Sequence, residues 1–480
     1  MNLPQVILPQ YSDNLTQLLA TAGFTNQQQK YLRDFINRYS ARTKTSKQIS
    51  LTSRPFLADD KNLGEFNLLF KEMYYPIVAN HSSGSKIWDV DGNEYVDVMM
   101  GLGINLFGHN PSFIKEALIT QLDRGIQIGP QSELVGEVAE LISQLTGMER
   151  VCFSNTGTEA VMSAIRIARA VTGRDKIVIF SGSYHGHFDG TLIKANKAEN
   201  HQSPIPLAPG VLPNFVNEVL VLDYGNPESL EIIKNHQQEL AAVLVVPVQT
   251  GRPALQPKEF LHQLRELTQA ANIALIFDEM VTGFRIHPGG AQAYFSVKAD
   301  IATYGKIVGG GIPIGVIAGK SQYMDAIDGG MWNYGDDSYP QAKKTFFAGT
   351  FCKHPLAMAA AKAVLKYLQS EGLSLHQKLN ERTTQFVAVL NNYFSREGLP
   401  LRMANFGSLF GSASVELAEE NSTSSVVMSL LKYHLLNKGV HLLGVSGYLS
   451  TAHKDEDINY IIQAVKDSVE ELRYGSLIPH

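Results

Sequence analysis

The chain is poor in cysteine, in surplus positive charge and in long apolar runs, and each shortage closes off a class of function. Its 480 residues hold 2 cysteines, Cys152 and Cys352, far apart and with no CxxC or Cys/His spacing around them. That pattern argues against a disulfide framework and a structural zinc site, so no metal is expected. The 41 basic residues face 46 acidic ones and leave a formal charge of −5. No positive surplus is available to hold nucleic acid nonspecifically. The longest apolar runs, such as Ala241 to Val246, are too short to span a bilayer, and Pro247 cuts that one. The N-terminus, MNLPQVILPQYSDN, has neither a basic region nor an uninterrupted apolar core, so it reads as no secretory signal. A reduced, cytoplasmic protein without membrane contact is the expectation. The triplets Asn14-Leu15-Thr16 and Asn421-Ser422-Thr423 then read as chance matches to a glycosylation signal.

What is present is a globular composition, 44% hydrophobic and 18% charged, enough for a large core in two or three domains. The chemistry concentrates between Phe277 and Gly311. The apolar run Ile273 to Phe277 reads as a buried strand that stops abruptly at Asp278 and Glu279. A second apolar-to-polar switch runs from Ala299 to Gly305 and is followed by Lys306 and the glycines Gly309, Gly310 and Gly311. In an open α/β sheet the carboxyl ends of strands line the ligand crevice, so an acid and an amine delivered there can share one site. Pyridoxal phosphate chemistry wants this pair: a lysine to bind the aldehyde and a carboxylate to keep the ring nitrogen protonated. Singly, Asp278 reads as a turn cap and Lys306 as a solvated lysine. Glycines that let backbone approach a ligand tip the balance toward a site.

Before that stretch, Asn26 to Tyr39 places Tyr31, Leu32, Phe35, Ile36 and Tyr39 on one face of an amphipathic helix. The run Ser40 to Lys47 has the character of a linker. Lys86 to Asp89 and Glu94 to Asp97 flank an Asp91-Gly92 hairpin turn. Gly101 to Asn105 is a glycine-rich loop of pocket-bordering type, and Pro111 suits the first turn of a helix from Ser112. Arg150 to Phe153 reads as a strand, and Ser154 to Ala160 opens a helix whose Asn155, Thr156, Gly157 and Thr158 offer unpaired amides to a phosphate. Simple capping by Asn155 or Thr156 is the plainer alternative. The strand Lys176 to Phe180 delivers Tyr184, which can stack on a flat ring, and His185, which can hold a polar contact. Leu192 to Pro213 reads as a long, proline-marked loop at a mouth. Gln249 and Arg252 follow the end of a central strand, Ala241 to Val246.

Taken together, SNTGTEA at 154–160, Tyr184-His185-Gly186, DEMVTGFR at 278–285, Lys306 with its glycines, Gly349-Thr350 and His354-Pro355-Leu356-Ala357 resemble the class III aminotransferases of fold type I. The subgroup they are most similar to is glutamate-1-semialdehyde aminomutase. The front section (FINRYSARTKTSK, SRPFLADDKN) and PVQTGRPALQP at 247–257 resemble aminotransferase domains of hybrid polyketide and nonribosomal peptide synthetases. An extension of about 75 residues before the hairpin favours that assembly-line setting.

The resemblance implies an α/β fold, a large domain with a mainly parallel seven-stranded sheet plus a smaller α+β C-terminal domain. The corresponding boundaries are an extension at 1–75, a hairpin section at 76–120, a cofactor domain at 121–365 and a small domain at 366–480. It implies pyridoxal 5'-phosphate as cofactor. Lys306 would be its Schiff-base lysine and proton carrier, Asp278 the partner of the ring nitrogen, and Tyr184 the stacking ring. Asn155, Thr156, Gly157 and Thr158 would bind the phosphate, with Thr350 reaching the phosphate of a neighbouring subunit in a homodimer. His185 and Gln249 would lie near the ring. Many class III members carry Glu where Val246 stands, which puts that glutamate's role in doubt here. The implied reaction takes an amino group from glutamate or glutamine to the β-ketone of an acyl thioester on a carrier protein. A free aminomutase or small-molecule aminotransferase, and a non-catalytic dimerising domain, are the alternatives.

Overall fold

The computed structural model describes residues 19–20, 23–59, 66–196, 204–413, 423–442 and 446–478. The first glycosylation-type triplet, and Asn421 and Ser422 of the second, lie outside them. The chain divides into two compact units: Met1–Met99 with Glu416–Gly447 and Ala452–His480, and Met100–Val415 with Tyr448–Thr451. The sequence-based boundaries at 120 and 365 fall inside the second unit, where the helix Pro355–Arg396 runs through residue 365. Among the described residues no helix is long and apolar enough to cross a membrane.

In the first unit the helix Asn26–Arg42 buries Tyr31, Leu32, Phe35, Ile36 and Tyr39, the stripe its spacing predicts. Thr25 caps it reciprocally with Gln28. Phe35 stacks on the buried His434 ring at 4.0 Å, and His434 lies 3.3 Å from Glu471. Ser40 to Lys47 is not a linker. The helix continues to Arg42 and a second one, Lys44–Ser53, follows directly. Asp91 explains this: its carboxylate accepts the Thr45 amide at 2.6 Å and the Ser46 amide at 3.0 Å, capping the second helix from the hairpin turn. Three antiparallel strands, β1 (Ala79–Ser83), β2 (Lys86–Asp89) and β3 (Glu94–Asp97), form the hairpin sheet, and Val440–His441 pairs with β3 in parallel.

The second unit is built on seven strands: β4 (Arg150–Ser154), β5 (Lys176–Phe180), β8 (Val219–Leu222), β9 (Leu240–Val245), β10 (Ala274–Asp278), β11 (Ile301–Tyr304) and β12 (Gly315–Gly319), with β6 and β7 described below. Their order is β4-β12-β11-β10-β9-β5-β8. β12 runs antiparallel to both neighbours, and β5, β8, β9, β10 and β11 pair in parallel. The central strands are buried on both faces, β9 and β10 along their whole length, which is why they read as unbroken apolar runs. The stretch from Leu192 to Pro213 is not all loop. Its described residues include an antiparallel pair, β6 (Ile193–Ala195) and β7 (Pro204–Pro206). Pro111 sits at the cap of helix Ser112–Arg124 rather than inside its first turn. Parallel pairing aligns the carboxyl ends of β5, β9, β10 and β11, and the chemistry-bearing residues follow those ends.

Candidate active site

Asp278 is the last residue of β10 and is 3% exposed. Its Oδ2 accepts the Nδ1 hydrogen of His185 at 2.8 Å, and Oδ1 accepts from Thr303 Oγ1 and the Met280 amide, each at 3.3 Å. A carboxylate so held in a dry site stays where a cationic ring nitrogen can meet it. Glu279, beside it in sequence, has turned away. It accepts from Thr282 Oγ1 at 2.6 Å and from the amides of Ala291 and Gln292 at 2.8 and 3.0 Å. Burial pushes its carboxyl above the usual range. The paired acids therefore divide into one that faces the site and one that ties the turn 279–283 to the helix Gly290–Phe295.

Lys306 follows β11 after Gly305 and opens a single 3-10 turn with φ +45°, a conformation that side chains rarely adopt. Its Nζ donates to the Leu102 carbonyl at 3.0 Å. Burial, then the nearby Arg285 charge, pulls the amine down to about 8, and Asp278 opposes them. An amine in this state is available as nucleophile and base near neutral pH.

The segments after β4, β5 and β9 carry the other predicted residues apart from Thr350. His185 is 3% exposed and its Nε2 is buried without a partner. Tyr184 beside it is 73% exposed. Gln249, 2% exposed, donates to the Ser181 carbonyl and to Ser183 Oγ, each at 2.9 Å, while its Oε1 is buried and unpartnered. Thr156 caps the helix Gly157–Thr172, accepting the Glu159 amide, and the Asn155 amide donates to Glu159 Oε2 at 2.7 Å. Thr158 Oγ1 accepts the His187 amide at 3.3 Å. This close approach needs Gly186: at φ +82°, a Cβ there would lie 2.3 Å from Thr158 Oγ1. Thr350 is exposed, next to Gly349, where a Cβ would lie 3.4 Å from Asn155 Nδ2.

Sequence reasoning assigned no role to Thr303, Leu102 or Arg285, all of which touch this constellation. His185, whose Nε2 is orphaned, contacts the Asp278 carboxylate, the loop that carries it packs on the helix start at Thr158, and Gln249, with its orphaned Oε1, is hydrogen-bonded to the same loop. This donor set fits a flat, nitrogen-containing ring with a phosphate arm. A buried acid and a depressed lysine amine at parallel strand ends define a pyridoxal-phosphate enzyme.

The comparisons agree. A family model described as aminotransferase class-III matches residues 70–464. The glutamate-1-semialdehyde 2,1-aminomutase of Chloroflexus aggregans is 34% identical over 412 residues, covering 83% of this chain and 91% of that protein. A solved transaminase with PLP bound superposes with a TM-score of 0.79 at 27% identity, covering 90% of this chain and 99% of its own. A β-phenylalanine aminotransferase from Variovorax paradoxus gives 0.77 at 26% identity, covering 93% and 98%. The chain belongs to the class III aminotransferase family, and its cofactor is pyridoxal 5'-phosphate.

Proposed function

We propose that this enzyme moves an amino group from glutamate or glutamine to the β-ketone of an acyl thioester carried by an acyl carrier protein, leaving a β-amino acyl product. The observation that carries the amino-transfer part is the Asp278–Lys306 arrangement: a carboxylate locked by three hydrogen bonds beside an amine lowered to about 8. When bound, the cofactor supplies an aldehyde that captures amines and a protonated ring that takes up the electrons of a broken C–H bond. Asp278 would hold the ring nitrogen protonated, and the His185 hydrogen bond keeps the carboxylate oriented. Lys306 would hold the cofactor through Nζ and give way to the donor amine. Its freed Nζ then takes the donor's α-proton, and in the second half it delivers a proton to the former ketone carbon. Tyr184 would stack on the ring, Gln249 and His185 would border it, and Asn155, Thr156, Gly157 and Thr158 would hold the phosphate at the helix start.

The tethered acceptor is supported by the likeness of 247–257 and of the front section to assembly-line domains. The β-phenylalanine aminotransferase neighbour acts, by its name, on a β-amino acid, so this fold accommodates an amine at that carbon. A homodimer in which Thr350 reaches the partner's phosphate is supported by the exposed apolar side chains near it in sequence, Phe346 and Phe351. The second reading is a free aminomutase, favoured by the 34% identity to that enzyme across 91% of its length. Mass analysis of the carrier-bound chain separates them. Incubation with glutamate and a β-ketoacyl carrier protein is expected to exchange the ketone for an amine. If the carrier-bound chain is unchanged and glutamate-1-semialdehyde is isomerised, the aminomutase reading replaces it.

A further inference from the structure

Above Lys306 the backbone makes an unusual turn. Met100, Gly101, Leu102 and Gly103 all take left-handed conformations, with φ of +48°, +62°, +59° and +89°. Two of these residues carry side chains, and each such conformer costs about 1–2 kcal/mol for a residue other than glycine. Something must hold the turn against relaxation. Its carbonyls are gripped by two cations, one half-buried and one buried: Lys306 Nζ donates to the Leu102 carbonyl at 3.0 Å, and Arg285 Nη2 donates to the Gly103 carbonyl.

Arg285 is built for that task. It is 1% exposed, yet none of its hydrogen bonds goes to a carboxylate. Besides Gly103, Nε donates to the Val281 carbonyl at 3.2 Å and Nη1 to Ser408 Oγ at 2.7 Å. Its guanidinium lies 4.8 Å from the centroid of the Tyr448 ring. That ring in turn packs on Gly103, where a Cβ would come within 2.8 Å of it. A buried guanidinium spent on neutral acceptors is expensive, so ordinary packing does not account for it.

We infer that Arg285 is a positioning residue: it clamps the left-handed turn Met100–Gly103 over Lys306 and so fixes the carbonyl toward which the lysine amine points. The charged groups facing that amine are Arg285 and Asp278. Arg285 thus acts on Lys306 twice, through the turn that holds it and through a like charge that favours the neutral amine. A lysine cannot reproduce the fork that reaches several acceptors at once, whereas it does reproduce the charge.

That separation gives the test, on the full chain without cofactor. Two readouts are taken for Arg285→Lys and Arg285→Gln: amide hydrogen exchange of residues 100–106, and the pH midpoint at which Lys306 reacts with an amine reagent, located by peptide mass. Both variants are expected to speed exchange of that turn at least about tenfold, with β9 and β10 still protected. Only Arg285→Gln is expected to move the midpoint above about 8, because only it removes the charge. Wild-type exchange together with a wild-type midpoint in both folded variants overturns the assignment. Should Arg285→Gln fail to fold, Arg285→Lys and Ser408→Ala decide it: each should loosen the turn, and unchanged exchange in both overturns it.

Discussion

Asp278→Asn separates chemistry from architecture at the centre of the site. The substitution is nearly isosteric. The amide oxygen still accepts from Thr303 Oγ1 and the Met280 amide, and only the His185 bond must be rebuilt, by a change of tautomer. Replacing one charge-assisted hydrogen bond by a neutral one costs the fold about 1 kcal/mol. The loss at a cofactor ring nitrogen is larger, because a preorganised charge in a dry site contributes about 3–4 kcal/mol where charge develops. Turnover should therefore fall roughly 10²- to 10³-fold. Removing the one charge that opposes burial and Arg285 should also lower the Lys306 amine below about 8. The assay pairs a denaturant melt with single-turnover kinetics on glutamate alone. A rate within tenfold of the parent, in a protein equally stable, would refute the role of Asp278. A stability loss of several kcal/mol would make it a structural residue.

Other perturbations test separate parts of the account. Apoprotein should take up pyridoxal 5'-phosphate onto Lys306 with a rate rising through pH about 8. At that pH about half the amines are neutral, against about one in three hundred at the ordinary 10.5, and an absorbance stopped-flow pH series reads this directly. Gly186→Ala forces a Cβ to 2.3 Å from Thr158 Oγ1 at φ +82° and should cost about 2–4 kcal/mol and weaken cofactor affinity, measured by melt and titration. In the first unit, Phe35→Ala empties a fully buried ring site against His434 and should cost about 3–5 kcal/mol by denaturant melt. Glu471 is held down to about 2 by His434 and Lys438, from an ordinary 4.5. Its contribution is therefore complete above pH about 4.5 and lost as pH falls toward about 2. Glu471→Gln should flatten that part of the pH–stability curve.

The central strands were legible because burial on both faces leaves an unbroken apolar run, and an acid or lysine placed at its end stands out. Asp278 and Lys306 stand out in that way, and the capped helix start at Thr156 by its small polar residues. Three features were hidden because their causes lie far away in sequence. The helix Lys44–Ser53 looks like a linker until Asp91 caps it across 46 positions. Leu102 takes part through its carbonyl, which no side-chain pattern records. Arg285 reads as surface by its type, and only the packing of Gly103, Ser408 and Tyr448 around it shows why it is inside. The antiparallel β12 and the short β6–β7 pair carry no signal that distinguishes them from loop or parallel strand.

The most direct measurement follows the cofactor's absorbance through both half-reactions on purified protein and its Lys306→Ala variant. Glutamate should abolish the lysine-bound band in the parent only, and a β-ketoacyl carrier protein should then restore it. Restoration by free keto acids or glutamate-1-semialdehyde, with none by the tethered ketone, would contradict the proposed acceptor. A chain that never forms the lysine-bound band would contradict the role of Lys306.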